Sequence, residues 1–235
     1  MIITNAKIFN SVCHQMEKYC RMKKDDKYEK LYHNVFFMDN NLMCSTNGYF
    51  LAVRNMSDCV INNEKFAFPC NIKPKRIISN DGDKLIIENK KDDYFDETKK
   101  NANDFNWKKV IPTYKPKVIK EYDFSDYKFK LQPYPSSMTT FKSNGDVIFE
   151  YKDYSEVIAT YGDVMKTNDD FFDNIDNKLI TTVTFPMQQI YWILNESPKF
   201  IYHEFERESI IQPSVFITKN YKFIIMPMSN YSTEI

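Results

Sequence analysis

The sequence predicts an α+β fold, two similar domains in tandem that are each built mainly from antiparallel strands with few helices. Three observations lead there. Apolar runs of strand length recur in both halves, separated by turns containing Asn, Asp and Gly. Helical spacing is confined to a few segments. A Pro-punctuated stretch, Ile111-Pro-Thr-Tyr-Lys-Pro-Lys117, is the natural linker and divides the chain into residues 1–117 and 118–235. Pairwise identity between the halves is too low to establish a repeat.

Taken in order, the start reads as strand then helix. Asn5 caps Ala6–Arg21, in which Ile8, Val12, Met16 and Tyr19 recur at helical spacing. Leu31–Met38, the turn Asp39-Asn40-Asn41, Leu42–Thr46, the turn Asn47-Gly48 and Tyr49–Arg54 read as a meander. Phe66–Pro69 is a short strand and Ile72–Ser79 a short helix. Asp81-Gly82-Asp83 turns into the strand Lys84–Asn89, and residues 90–104 are an exposed, charged loop. In the second half, Met138–Phe141 and Val147–Tyr151 flank a Ser143-Asn144-Gly145-Asp146 turn, and Glu156–Tyr161 follows. Lys178–Phe185 feeds the helix Pro186–Glu196, with proline in the first turn where it is tolerated. Phe200–Glu206, Ser214–Thr218 and Tyr221–Met226 are the last strands.

Composition narrows the function classes. The 235 residues carry 32 basic and 32 acidic side chains, but these are unevenly placed. Residues 1–120 hold 22 basic and 15 acidic side chains, and residues 121–235 hold 10 and 17, so the halves carry +7 and −7. With 19 Phe, 16 Tyr and 24 Ile the chain can build real cores, which excludes wholesale disorder. No apolar run approaches the ~20 residues of a membrane span. The first residues lack the basic start and apolar stretch of a signal peptide. The five cysteines (Cys13, Cys20, Cys44, Cys59, Cys70) form no CxxC and fit reduced thiols in a cytoplasmic compartment. His14, beside Cys13 and near Cys20, raises zinc as an alternative, but a second ligand pair is wanting and ordinary buried thiols are the better reading. Asp81-Gly82-Asp83 lacks the remaining ligands of a calcium loop.

Catalytic signatures are also wanting. The chain has no GxSxG, P-loop, GxGxxG or HExxH, and its four glycines leave no phosphate cradle. Asp92-Asp93 and Asp169-Asp170 sit in polar runs and read as solvated charge. His203, in an alternating segment, reads as a surface histidine. The expectation is a protein that is not an enzyme and has no cofactor or metal, although a site assembled from distant residues remains a third alternative.

Three segments, in order, resemble the bacterial DNA polymerase sliding clamp, the beta subunit of the replicative polymerase. Lys30–Val53 reads KLYHNVFFMDNNLMCSTNGYFLAV and is similar to the strand, turn and ATDGHRLAV-like segment of the clamp's middle domain. Asp104–Pro112, DFNWKKVIP, resembles the FPDYRRVLP-type segment that closes that domain. Tyr221–Met228, YKFIIMPM, resembles the YVVMPM-type end of the last domain. The bacterial clamp has three such domains, and this chain has room for two, resembling the middle and last. The last domain's first helix would fall near Asp123–Ser137, where Pro133 and Pro135 shorten or remove it.

The resemblance implies two tandem clamp domains with sheets outside and helices on a concave inner side. It implies a processivity factor that encircles duplex DNA without reading sequence and tethers a polymerase, with a clamp loader as a further partner. Known clamps close with six domains, so a two-domain chain implies a homotrimer, with positive and negative halves meeting head to tail. The expected phosphate contacts are Lys18, Arg21, Lys23, Lys24, Lys73, Lys75 and Arg76. A solvated lysine face is the alternative for these. A hydrophobic peptide-binding pocket is implied at Thr46, Gly48, Tyr49, Leu51, Lys109, Val110, Ile224, Met226, Pro227 and Met228, against the alternative of boundary core. The competing function is a clamp-fold decoy or regulator that binds replication proteins without encircling DNA. It is fed by the second helix, which offers only Gln188, Gln189 and Asn195 on its polar side.

Overall fold

The computed structural model describes residues 1–21, 34–70, 75–79, 82–87, 106–113, 115–126, 134, 136–142, 145–159, 182–205 and 212–228. The chain forms two compact units, Met1–Val110 with Asn220–Lys222, and Ile111–Lys219 with Phe223–Ile235.

The first unit opens with β1 (Ile2–Ile3) and α1 (Ala6–Cys20), followed by β2 (Val35–Asp39), β3 (Leu42–Thr46), β4 (Phe50–Asn55), β5 (Val60–Ile61), β6 (Lys65–Pro69), β7 (Lys75–Ser79) and β8 (Gly82–Ile86). The Asn5 side-chain oxygen accepts from the Ile8 N–H at 3.2 Å and fixes the helix start. Phe9, Val12, Met16, Tyr19 and Cys20 form the buried stripe, so Phe9 and not Ile8 opens it. That stripe lies on strands of the run β6-β2-β3-β4, where Tyr19 meets the Phe50 ring at 5.1 Å. The Ser45 hydroxyl donates to the Met16 carbonyl at 2.9 Å, so a buried polar side chain there is satisfied and pins helix to strand. A second sheet has the order β5-β1-β8-β7.

The short helix expected at Ile72–Ser79 is corrected. Its described part, Lys75–Ser79, is strand β7, paired antiparallel with β8 from Lys75↔Ile86 to Ser79↔Gly82. The adjacent β-branched Ile77 and Ile78 favour extended backbone, and the ladder supplies the hydrogen bonds a five-residue helix would leave open. Gly82 and Asp83 accordingly belong to β8 and not to the turn.

The second unit contains β9 (Pro116–Asp123), β10 (Met138–Phe141), β11 (Val147–Tyr151), β12 (Tyr154–Ala159), β13 (Val183–Pro186), α2 (Met187–Glu196), β14 (Lys199–Phe205), β15 (Ser214–Ile217) and, from Phe223 on, β16 (Tyr221–Ile225), whose first two residues count with the first unit. Its sheet has the order β12-β11-β10-β13, and β9-β14-β15-β16 forms a second run. β13 passes into α2 with no intervening loop. Pro186 is the N-cap, and the Met187 N–H, which has no partner within the helix, donates to the Ser137 carbonyl at 2.9 Å. Met187, Ile190, Ile193 and Leu194 are the helix's buried apolar side chains, and Trp192 is half-buried. Every strand pair with a described register is antiparallel.

The core of this unit is aromatic. The Phe216 ring meets Phe141, Phe185, Phe200 and Tyr202 at centroid distances of 5.8, 5.4, 5.5 and 5.1 Å. Cutting Phe216 to alanine opens a cavity among four rings held by three different elements and is expected to cost about 3–5 kcal/mol. Urea unfolding followed by circular dichroism reads it as a fall in midpoint.

β9 was missed because Pro112 and Pro116 made its start look like linker. Proline is tolerated as the first residue of a strand, and Pro116 occupies that position. The expected loop at 90–104 and most of the Asp123–Ser137 segment lie outside the described residues.

Candidate functional site

The turn between β3 and β4 gathers four of the expected pocket residues. Thr46 faces Leu51 across the strand pair. The Thr46 hydroxyl oxygen accepts from the Gly48 N–H at 3.0 Å. The Asn47 side-chain oxygen accepts from the N–H groups of Tyr49 and Phe50 at 3.0 and 2.9 Å. Gly48 has φ 92°, a left-handed value at which a side chain would clash. These bonds hold Tyr49 outward at 63% exposure, while Leu51 and Thr46 are each 3% exposed. Tyr49 therefore belongs to the turn, and β4 begins one residue later.

Lys109 and Val110 stand on a single 3-10 turn, Trp107–Val110. Two contacts that the sequence reading missed fix it. Trp107 is buried, and the Lys108 ammonium pairs with the Asp39 carboxylate at the end of β2 at 2.6 Å. The sequence signal was a tryptophan before two lysines in an otherwise polar stretch. Lys109 and Val110 are left exposed. In the second unit, Ile224 is buried within β16, Met226 is half-buried, Pro227 is buried and Met228 is exposed. The Met228 N–H donates to the Thr184 carbonyl at 2.9 Å, which attaches the end of the described chain to β13. Thr46, Leu51, Ile224 and Pro227 thus support their own units, whereas Gly48, Tyr49, Lys109, Val110, Met226 and Met228 offer surface.

The expected phosphate contacts divide differently. Lys18 is exposed in the last turn of α1. Arg21 follows the helix, its side chain 69% exposed and paired with Glu17 at 2.8 Å. The hydrogen bond to Glu17, then its charge, hold the guanidinium above its ordinary pKa. Part of that cation's field is therefore already answered by a neighbour. Lys75 and Arg76 lie on β7 and not on the short helix expected there. Lys23, Lys24 and Lys73 lie outside the described residues. Among the described residues no cluster of three or more His, Cys, Asp or Glu is placed to hold a metal ion. No described helix is long and apolar enough to cross a membrane.

A scan against protein-family models finds no match, and a search of curated protein sequences finds none either. Solved structures do match. The chain is similar to the Helicobacter pylori beta clamp in a structure with a bound DNA ligase peptide (TM-score 0.59, 12% identity, covering 97% of this chain and 64% of that one). It is also similar to the C. crescentus beta sliding clamp (TM-score 0.58, 10% identity, 97% and 65%). DNA polymerase III subunit beta from Borrelia burgdorferi matches with TM-score 0.54 and 13% identity, over 94% of this chain and 62% of that one. The chain thus has the fold of the bacterial beta sliding clamps, and it spans slightly under two thirds of their length.

Proposed function

Proceeding from the clamp fold, we propose that the chain is a DNA polymerase processivity factor: a non-catalytic clamp whose copies close around duplex DNA and hold a polymerase by a short apolar peptide. The observation that carries this reading is the beta-clamp fold over 97% of the chain. The exposed Tyr49, Val110 and Met228 support it, because they stand in the three segments that resemble the clamp in sequence. DNA contact is electrostatic and sequence-independent, through Lys18, Arg21, Lys23, Lys24, Lys73, Lys75 and Arg76.

The assembly follows from domain arithmetic. Two clamp-like domains per chain, residues 1–117 and 118–235, need three copies to reach the usual six. The opposite charge of the two halves favours head-to-tail contact, which closes only if the rotation per subunit suits. Native mass spectrometry at low salt is expected to give a trimer, and a monomer alone at high concentration overturns the assembly.

The function itself is tested by topology. A ring threaded on circular duplex DNA is retained at salt concentrations that remove electrostatic binders, and it slides off once the circle is cut. Equal loss from circular and linear DNA overturns encirclement. Peptide binding without retention on circles would support the decoy or regulator instead.

A further inference from the structure

Cys20 and Cys70 are separated by 49 residues in sequence, yet their sulfurs lie 3.1 Å apart in the first unit. No spacing rule links them, and both are free thiols. Cys20 ends α1 and is wholly buried. Cys70 follows β6, is partly exposed, and lines a cleft of about 210 Å³ with Asn10, Cys13, His14, Glu17 and Phe68. The pair thus has one partly exposed cysteine bordering the cleft and a second, buried cysteine in contact with it. A disulfide has its sulfurs ~2.05 Å apart, so closure needs about an ångström of approach.

We propose that Cys70 and Cys20 form an oxidation site for hydroperoxides, with Cys70 as the attacking thiol and Cys20 as the resolving one. In the first step the Cys70 sulfur attacks the O–O bond of hydrogen peroxide. The Cys70 S–H bond and the O–O bond break, an S–O bond forms, and one water leaves, giving the sulfenic acid. In the second step the Cys20 sulfur attacks the Cys70 sulfur. The S–O bond breaks, the S–S bond forms, and the hydroxyl leaves as water with the Cys20 proton. Two thiols are oxidised and one peroxide is reduced to two waters. Cys20 adjoins Arg21, and Cys70 lies shortly before Lys73, so the bond would tie together two segments carrying the expected phosphate contacts. That consequence rests on the DNA reading above; the bond itself does not.

The contact with Cys20 and then burial hold the Cys70 thiol well above its ordinary pKa. Since the thiolate is the nucleophile, the first step is slow at neutral pH. The full-length protein is reduced, treated with hydrogen peroxide, blocked with N-ethylmaleimide and analysed by mass spectrometry. The expected product has lost two hydrogens, keeps three of its five thiols open to alkylation after denaturation, and yields one cross-linked peptide joining Cys20 to Cys70. Its melting temperature rises by several degrees. Cys70→Ser, at a partly exposed position, abolishes both the cross-link and the rise, and if it fails to fold the peptide map of the unmutated chain decides alone. Over-oxidation of Cys70 with Cys20 still alkylatable, or a cross-link through Cys13, overturns the proposal. Loss of DNA retention plays no part in these readouts.

Discussion

Replacing Lys18, Lys73, Lys75 and Arg76 together by glutamate is expected to abolish stimulation of the cognate polymerase on primed DNA. The charge at four positions changes by eight units, and Coulomb attraction to phosphate becomes repulsion. In counterion terms, each lost phosphate contact removes about 0.9 from the slope of log affinity against log salt. Binding is therefore expected to become weaker and less salt-dependent together. Arg21 is left in place because its bond to Glu17 already holds part of its charge. Lys18 sits in the last turn of α1, where the helix dipole favours a cation, so its reversal costs about 0.3–1 kcal/mol of stability. Circular dichroism checks that the fourfold variant folds. Unchanged stimulation by a folded variant assigns the DNA contact to other residues.

Tyr49→Ala combined with Met228→Ala is expected to weaken binding of the polymerase's peptide about tenfold or more, the ~1–2 kcal/mol scale of an interface hot spot. Burial dictates this choice. A sequence-based choice would be Leu51 and Met226, but Leu51 is 3% exposed, and its truncation would remove core contacts worth about 2–5 kcal/mol. Lost binding in that variant would report unfolding as readily as a lost contact. Tyr49 and Met228 are exposed, so their removal leaves each unit's interior intact. Aromatic and thioether side chains also suit a surface that adapts to several apolar peptides. Isothermal titration calorimetry with the peptide decides: equal affinity in the folded double variant places the pocket elsewhere.

Much of the fold was legible because its signals are local. Asn5 caps the first helix as its side chain implies, and β10 and β11 occupy the residues expected for the two strands flanking the Ser143-Asn144-Gly145-Asp146 turn. The segment 72–79 reads as a helix because three cations, Lys73, Lys75 and Arg76, in a short apolar run imitate an amphipathic helix. Its antiparallel pairing with β8, which the composition of 75–79 alone does not reveal, decides for strand. Candidate site residues were named from a resemblance that identifies segments without distinguishing outward side chains from inward ones. The resemblance therefore groups Thr46, Leu51 and Ile224 with Tyr49 and Met228. The ion pair between Lys108 and Asp39 was invisible because nothing in either neighbourhood points to the other.

The burial of Trp107 has a practical consequence. The chain has two tryptophans, and the other, Trp192, lies half-buried on α2 in the second unit. Each unit therefore carries its own intrinsic fluorophore. With excitation on the red edge that tyrosine does not absorb, Trp192→Phe leaves emission that reports the surroundings of the 3-10 turn, and Trp107→Phe leaves emission from the second helix. Recorded along one denaturant gradient, the two single-tryptophan proteins would give superimposable curves if the units melt as one cooperative body and displaced curves if they melt separately.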